Sequence, residues 1–248
     1  MSNDQNMFGQ ELQKAINEMK IPVTLSPGQK NTFQSFYQDL TETNKVMNLT
    51  SITEEKEVIL KHFADSIALH LAVPDLDKKP YRIFDMGTGA GFPGIPLAIA
   101  YPELRLTLAD SLNKRILFIQ REAEKLGLKN VNAIHGRAED LARKPEYREQ
   151  YDICVSRAVA NLSTLSEYCV PFIHTKGFFI PYKSGDIEEE IQNASKAMDV
   201  LKCRKEKVIT YSLPENAGKR TLILINKIES TPKKYPRKAG LPSKEPIS

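Results

Sequence analysis

The 248-residue sequence predicts an α/β fold: a mostly parallel seven-stranded sheet covered by helices on both faces, its last strand antiparallel, behind a helical extension. Three observations predict it. From Tyr81 onward, short apolar runs alternate with longer stretches of helical period. Four of the 12 glycines, Gly87, Gly89, Gly91 and Gly94, lie directly behind the first of those runs. The final two runs are joined only by "PENAGK", which leaves no room for a crossover helix, so they pair antiparallel.

Residues 1–80 make up the helical extension. In "LSPGQ", Ser26 is placed to cap a helix, Pro27 takes its first position and Gln29 completes a capping box. Phe33, Phe36, Tyr37 and Leu40 follow at the spacing of one helical face. A further helix is expected from Thr53, with Ile59, Phe63 and Ile67 on one side, and "VPDLDKKP" marks the junction to the sheet domain, residues 81–229. There "YRIFDM", "LRLTLAD", "VNAIH", "YDICVSRA", "GFFIPYK", "EKVITYSL" and "RTLILINKI" read as strands. "IPLAIAY", "SLNKRILFIQREAEKLGL" and "NLSTLSEYCVPFI" read as helices, and Ile187, Ile191, Ala194 and Met198 mark another. The basic segment 230–248 has four prolines and no period, so a tail without a core is expected.

Composition narrows the function. With 41% hydrophobic and 27% charged residues, the chain has the make-up of an ordinary globular protein. No apolar run reaches the roughly 20 residues of a membrane-spanning helix, and the polar start "MSNDQNMFG" shows no signal-peptide pattern. A cytoplasmic monomer without membrane contact is the expectation. Cys154, Cys169 and Cys203 form no CxxC pair, and His62, His70, His135 and His174 lack HExxH spacing, so reduced thiols and no metal are expected. A net charge of +4 weakly favours a nucleic-acid partner.

The glycine loop selects a ligand. Read from Gly89, "GAGFPG" satisfies the dinucleotide fingerprint, and Asp110 stands where a ribose-binding acid would. Asp85, at the strand end before the loop, argues against a pyrophosphate: like charges 4 Å apart repel by about 1 kcal/mol in water and about 4 kcal/mol at an effective dielectric of 20. A ligand with an ammonium group and no phosphate gains from that acid instead. S-adenosylmethionine is such a ligand, and "FDMGTGAG" followed by "LADS" has the acid–glycine–acid arrangement of class I S-adenosylmethionine-dependent methyltransferases, a Rossmann-like fold. Asp85, Gly87, Gly89, Gly91, Asp110 and Ser111 are therefore candidate donor-binding residues, with Asp85 facing the methionine end and Asp110 accepting the ribose hydroxyls. The competing views are an NAD-dependent oxidoreductase on the same loop and glycines that merely permit tight strand–helix packing.

"NKVMNLTSITE", "KHFADSIAL", "DMGTGAGFPGIPLAI", "LADSLNKRILFI", "HGRAED", "DICVSRAVA" and "KKYPRKAGLPSKEPI" together resemble the RsmG/GidB family, bacterial enzymes that methylate guanine N7 in small-subunit (16S) ribosomal RNA. The resemblance runs from Asn44 to the chain end. It implies a donor site at Gly87, Phe92, Ala138, Glu139 and Arg157, with Phe92 as an apolar wall and the "RAED" turn against adenine. Two departures stand out: Thr43 where the family often has Trp, and Lys183-Ser184-Gly185 where it often has Lys-Gly.

Guanine N7 carries an unprotonated lone pair at neutral pH, so no general base is expected, and Arg157 is the candidate for orienting the guanine or fixing the donor carboxylate. "SRAVA" occupies the place where amine-methylating relatives of the class carry an (N/D)PPY motif. Lys114 and Arg115 sit at a helix start, where cations oppose the dipole, and so are assigned to phosphate. Arg137, Lys183, Arg237 and Lys238 complete the expected RNA surface, the tail interleaving Tyr235 with cations. The expected partner is 16S rRNA, free or within the 30S subunit or an assembly intermediate. A non-catalytic RNA-binding assembly factor is the alternative from another class.

Overall fold

The computed structural model describes residues 3–158, 160–185 and 187–247, so Val159 of the "SRAVA" segment and the outermost residues of the extension and tail lie outside the described residues. Seven strands form one sheet in the order β3-β2-β1-β4-β5-β7-β6. They are β1 Arg82–Met86, β2 Arg105–Asp110, β3 Val131–His135, β4 Tyr151–Ser156, β5 Ile173–Ser184, β6 Cys203–Ser212 and β7 Lys219–Lys227. β1 to β5 are parallel neighbours, while β7 runs antiparallel to both β5 and β6. The antiparallel last strand follows from the short "PENAGK" link. The chain winds outward from β1 to β3 and then returns to β4, so a crevice opens between β1 and β4, where parallel α/β sheets bind ligands.

Two helices begin the chain, α1 Asn3–Glu18 and α2 Pro27–Met47. The capping box is present as the sequence predicts: the Ser26 hydroxyl accepts from the Gln29 amide, and the Gln29 side chain accepts from the Ser26 amide. The next helical segment is capped by Glu54 rather than Thr53. It runs as α3 Glu55–Val58, a π-helical stretch Ile59–Ala64, α4 Asp65–Ile67 and α5 Leu69–Ala72. The π stretch went unread because Ile59, Phe63 and Ile67, all buried, keep the spacing of an ordinary helix.

Successive β1 residues serve opposite faces, as strand pleating requires. Ile83 joins one apolar core that extends through Phe63, Phe36 and Leu12 into the helical extension. Phe84 joins the other, stacked on Phe172 at 3.9 Å. The extension therefore shares the sheet's core. At about 1.5–3 kcal/mol per fully buried large side chain, Phe33, Phe36 and Phe63 alone bind it firmly. α6 Gly94–Ala100 and α7 Asn113–Lys125 cover this face; α8 Ala138–Leu141, α9 Leu162–Cys169, α10 Glu188–Asn193 and α11 Ser195–Leu201 follow later in the chain. Thr43, in the place of the family's Trp, is buried and accepts a hydrogen bond from Arg121 at 2.8 Å. The three cysteines are free and buried.

The tail corrects the sequence expectation. It docks on the second core through Tyr235 and forms the short helix α12 Leu241–Lys244. Arg148 donates to the carbonyls of Thr231 and Tyr235, and Arg143 donates to that of Pro236 at 2.6 Å. Absence of period did not mean absence of packing, because arginines of the sheet domain satisfy the carbonyls of the irregular stretch before α12.

Candidate active site

A cleft of about 400 Å3 opens at the carboxyl ends of the strands, within the usual ~300–1,000 Å3 of small-molecule sites. Its lining comes from Gly87 after β1, Ser111 after β2, Arg137, Ala138 and Glu139 after β3, Ala158 after β4, and α9. Gly240 and Ser243 of the tail close one side. A larger hollow of about 540 Å3 lies near the amino ends of β2 and β3, around Arg105 and Asn130, away from the glycine loop and both acids.

Asp85 builds the loop. It is fully buried, and its Oδ2 accepts from the Thr88 hydroxyl at 2.6 Å and the Gly94 amide at 2.9 Å. Its Oδ1 has no hydrogen-bond partner. Burial, opposed by those two hydrogen bonds and by Arg157, pushes its pKa up to about 7. Asp110 ties the two strand ends together: Oδ1 accepts from the Leu112 amide and Oδ2 from the Gly89 amide at 3.0 Å.

The four glycines divide into two roles. A Cβ on Gly91 would stand 2.6 Å from Ile95, and one on Gly94 would stand 2.6 Å from the Leu108 side chain, so both allow helix and strand to close up. For Gly91 the packing role replaces the expected donor contact. Gly89, at φ +62°, has open space where a Cβ would be, and Gly87 lines the cleft itself.

Several expected roles are corrected. The Phe92 ring turns away to stack on His62 at 4.3 Å, beside Phe36 and Phe63, so it walls the core of the extension and not the donor. The Arg157 guanidinium donates to the carbonyls of Lys61 and His62 and to the Ser66 hydroxyl, and pairs with buried Asp65 at 3.3 Å. It anchors the π-helical stretch to β4 and is not free to hold a guanine or a donor carboxylate. Arg115 reaches Asp110 at 3.3 Å instead of standing free for phosphate. Lys183 is tied to the Ala160 carbonyl and Glu190. Arg237 is paired with Glu167. Lys114, Arg137 and Lys238 are exposed, Lys114 with a long 3.4 Å contact to the Met47 carbonyl.

The structure thus brings Gly87, Ser111, Ala138 and Glu139 together, with Gly89 and Asp110 joined at their edge. Sequence reasoning missed Glu167, which is fully buried on α9. The signal was available: one carboxylate within the otherwise uncharged "NLSTLSEYCVPF", which demands a cation from elsewhere in the chain.

The residues present suit S-adenosylmethionine. The unpartnered Oδ1 of buried Asp85 favours a cationic group nearby and opposes a pyrophosphate. The space above Gly89 admits a ligand against the backbone, and Glu139 in the cleft lining offers an acceptor to hydroxyl and amino groups.

Sheet order and cleft together define a class I S-adenosylmethionine-dependent methyltransferase fold. Solved structures share it: a putative sarcosine dimethylglycine methyltransferase from Galdieria sulphuraria (TM-score 0.52, 13% identity, 71% of this chain and 89% of that one), and M. jannaschii TYW2 in complex with AdoMet (TM-score 0.50, 16% identity, 67% and 76%). The family model for GidB, rRNA small subunit methyltransferase G, matches residues 29–222, and the chain belongs to that family. Proteins named ribosomal RNA small subunit methyltransferase G are similar over nearly their whole length. The one from Staphylococcus saprophyticus is 52% identical over 91% of this chain and 93% of its own. That from Lachnoclostridium phytofermentans is 50% identical over 90% and 91%, and that from Limosilactobacillus reuteri 48% identical over 97% and 100%.

Proposed function

We propose that this protein transfers the methyl group of S-adenosylmethionine to N7 of a guanine in small-subunit ribosomal RNA. The observation that carries the reading is its family membership over residues 29–222, supported by a strand-end cleft that suits that donor. S-adenosylmethionine supplies, when bound, a methyl group on a positively charged sulfur. The chain's part is binding and alignment. Gly87 and Gly89 let the backbone approach the methionine end, Asp85 shapes the loop, Asp110 and Glu139 flank the ribose and adenine, and exposed Lys114, Arg137 and Lys238 meet phosphates. Because guanine N7 has a free lone pair, no side chain has to remove a proton first, and orientation provides the rate. Arg157 is left out of the acceptor role, since its donors are engaged with the π-helical stretch.

The test uses small subunits and free 16S rRNA from cells lacking the gene, incubated with purified protein and labelled donor. Label recovered as 7-methylguanosine at one position, absent from the deletion strain and present in wild type, is the expected result. Label on another atom would overturn the N7 assignment, and tight RNA binding without incorporation would favour a non-catalytic assembly factor.

A further inference from the structure

We infer that the C-terminal segment 235–245 is a working wall of the donor cleft, with Arg237 as the positioning residue that sets it. The inference rests on the proposed use of that cleft for S-adenosylmethionine.

The geometry forms a continuous chain of contacts. Arg237 holds Glu167 with its backbone amide at 2.7 Å, with Nε at 3.0 and 3.1 Å to the two oxygens, and with Nη2 at 2.7 Å. Nη2 also donates to the Glu245 carbonyl at 2.8 Å, so one guanidinium fastens both ends of the segment. Between those ends, the buried Thr164 hydroxyl on α9 donates to the Pro242 carbonyl at 2.9 Å. The segment so held places the Gly240 amide 2.9 Å from Glu139 Oε1. Glu139 is the acid of the turn after β3 and lines the cleft beside Gly240 and Ser243.

The arrangement is more than a clasp for the tail. A carboxylate lining a cleft has several rotamers available, and a backbone donor fixed on one oxygen selects one of them. Oε1 is engaged by the tail, which sets how the carboxylate faces the ligand. Gly240, at φ +81°, adopts the left-handed conformation, which other residues reach only with strain, and turns the chain from this contact into α12. Arg237 itself does not line the cleft. It acts through Gly240 and Glu139, and Lys238 next to it, exposed, remains available to RNA.

Two single variants of the full-length protein separate these roles by calorimetry with S-adenosylmethionine and by RNA binding at several salt concentrations. Arg237→Ala is expected to raise the donor Kd at least tenfold and leave the salt slope of RNA binding unchanged. Lys238→Ala is expected to leave the donor Kd alone and flatten that slope by up to about 0.9 on duplex RNA. Folded Arg237→Ala with wild-type donor affinity overturns the inference. Should Arg237→Ala not fold, hydrogen exchange on the wild-type protein decides: the amides of Gly240, Leu241 and Ser243 gain at least several-fold protection on adding the donor, and unchanged protection overturns the wall. Wild-type protein that takes up no S-adenosylmethionine overturns the donor reading beneath it, a result distinct from a wild type that binds while Arg237→Ala binds equally well.

Discussion

At the scale of single residues, two buried titratable groups beside the loop oppose each other. Burial, aided by the Arg157 charge, holds His62 down at about 3, so it stays neutral in the folded protein when the unfolded chain already binds a proton. Between pH 6.5 and about 3 its contribution therefore falls as pH falls, by ~1.4 kcal/mol per unit. Asp85 behaves in the reverse sense: with its pKa raised to about 7, the folded state keeps a proton that the unfolded chain has lost, so stability falls as pH rises from about 4 to 7. The pair nearly cancels, and each variant uncovers the other. The stability advantage of wild type over His62→Gln should shrink by about 2 kcal/mol between pH 7 and pH 5, while wild type should lose ground to Asp85→Asn by a similar amount from pH 5 to 7. Urea unfolding at each pH measures both, and pH-independent differences would show that the two groups titrate normally. Arg157 makes a second test. Removing it strips partners from the Lys61 and His62 carbonyls and from buried Asp65. Arg157→Ala should therefore cost about 2–4 kcal/mol of stability, whereas an undiminished melting temperature with lost donor affinity would return it to the donor site.

At the scale of elements, what was legible follows the range of the signal. The Ser26 box rests on local chemistry and the seven strands on short apolar runs set between helical stretches, and both can be read along the chain. The glycine loop was read as one unit, yet it has two faces. Gly91 and Gly94 look inward to Ile95 and Leu108, while Gly87 lines the cleft and Gly89 faces open space. Spacing cannot tell these apart, because the distinction depends on where α6 lies over β2. Arg157 and Phe92 were misplaced for the same reason: their partners, Asp65 and His62, come from a helix that sequence alone does not place against β4. The division of the loop is testable. Gly94→Ala should lower stability by about 1–3 kcal/mol through overpacking against Leu108. Gly89→Val should abolish donor binding, with only the backbone strain of its positive φ showing in stability. Equal loss of donor affinity in a fully stable Gly94→Ala protein would erase the distinction.

At the scale of the whole molecule, both ends of the chain are parts of the sheet domain. The first helices contribute Phe8 and Leu12 to the core beneath β1, and the tail contributes Tyr235 to the opposite core. Seen as sequence, the segment 230–248 is a run of cations and prolines, and its loss would leave stability nearly unchanged. The structure argues otherwise. Cutting the chain after Thr231 removes Arg237 and leaves the Glu167 carboxylate buried in α9 without its cation. It also uncovers the apolar surface beneath Tyr235 and takes the Tyr235 and Pro236 carbonyls from Arg148 and Arg143. Breaking a buried ion pair from one side costs about 3–5 kcal/mol, a large share of the roughly 5–15 kcal/mol that holds a domain folded. The truncated protein should accordingly unfold at a clearly lower urea concentration. Adding Glu167→Gln to the truncation should recover part of the loss, since the neutral amide no longer needs a counter-charge. A truncated protein as stable as wild type, or a double variant no better than the truncation, would show that the tail does not neutralise Glu167 in solution.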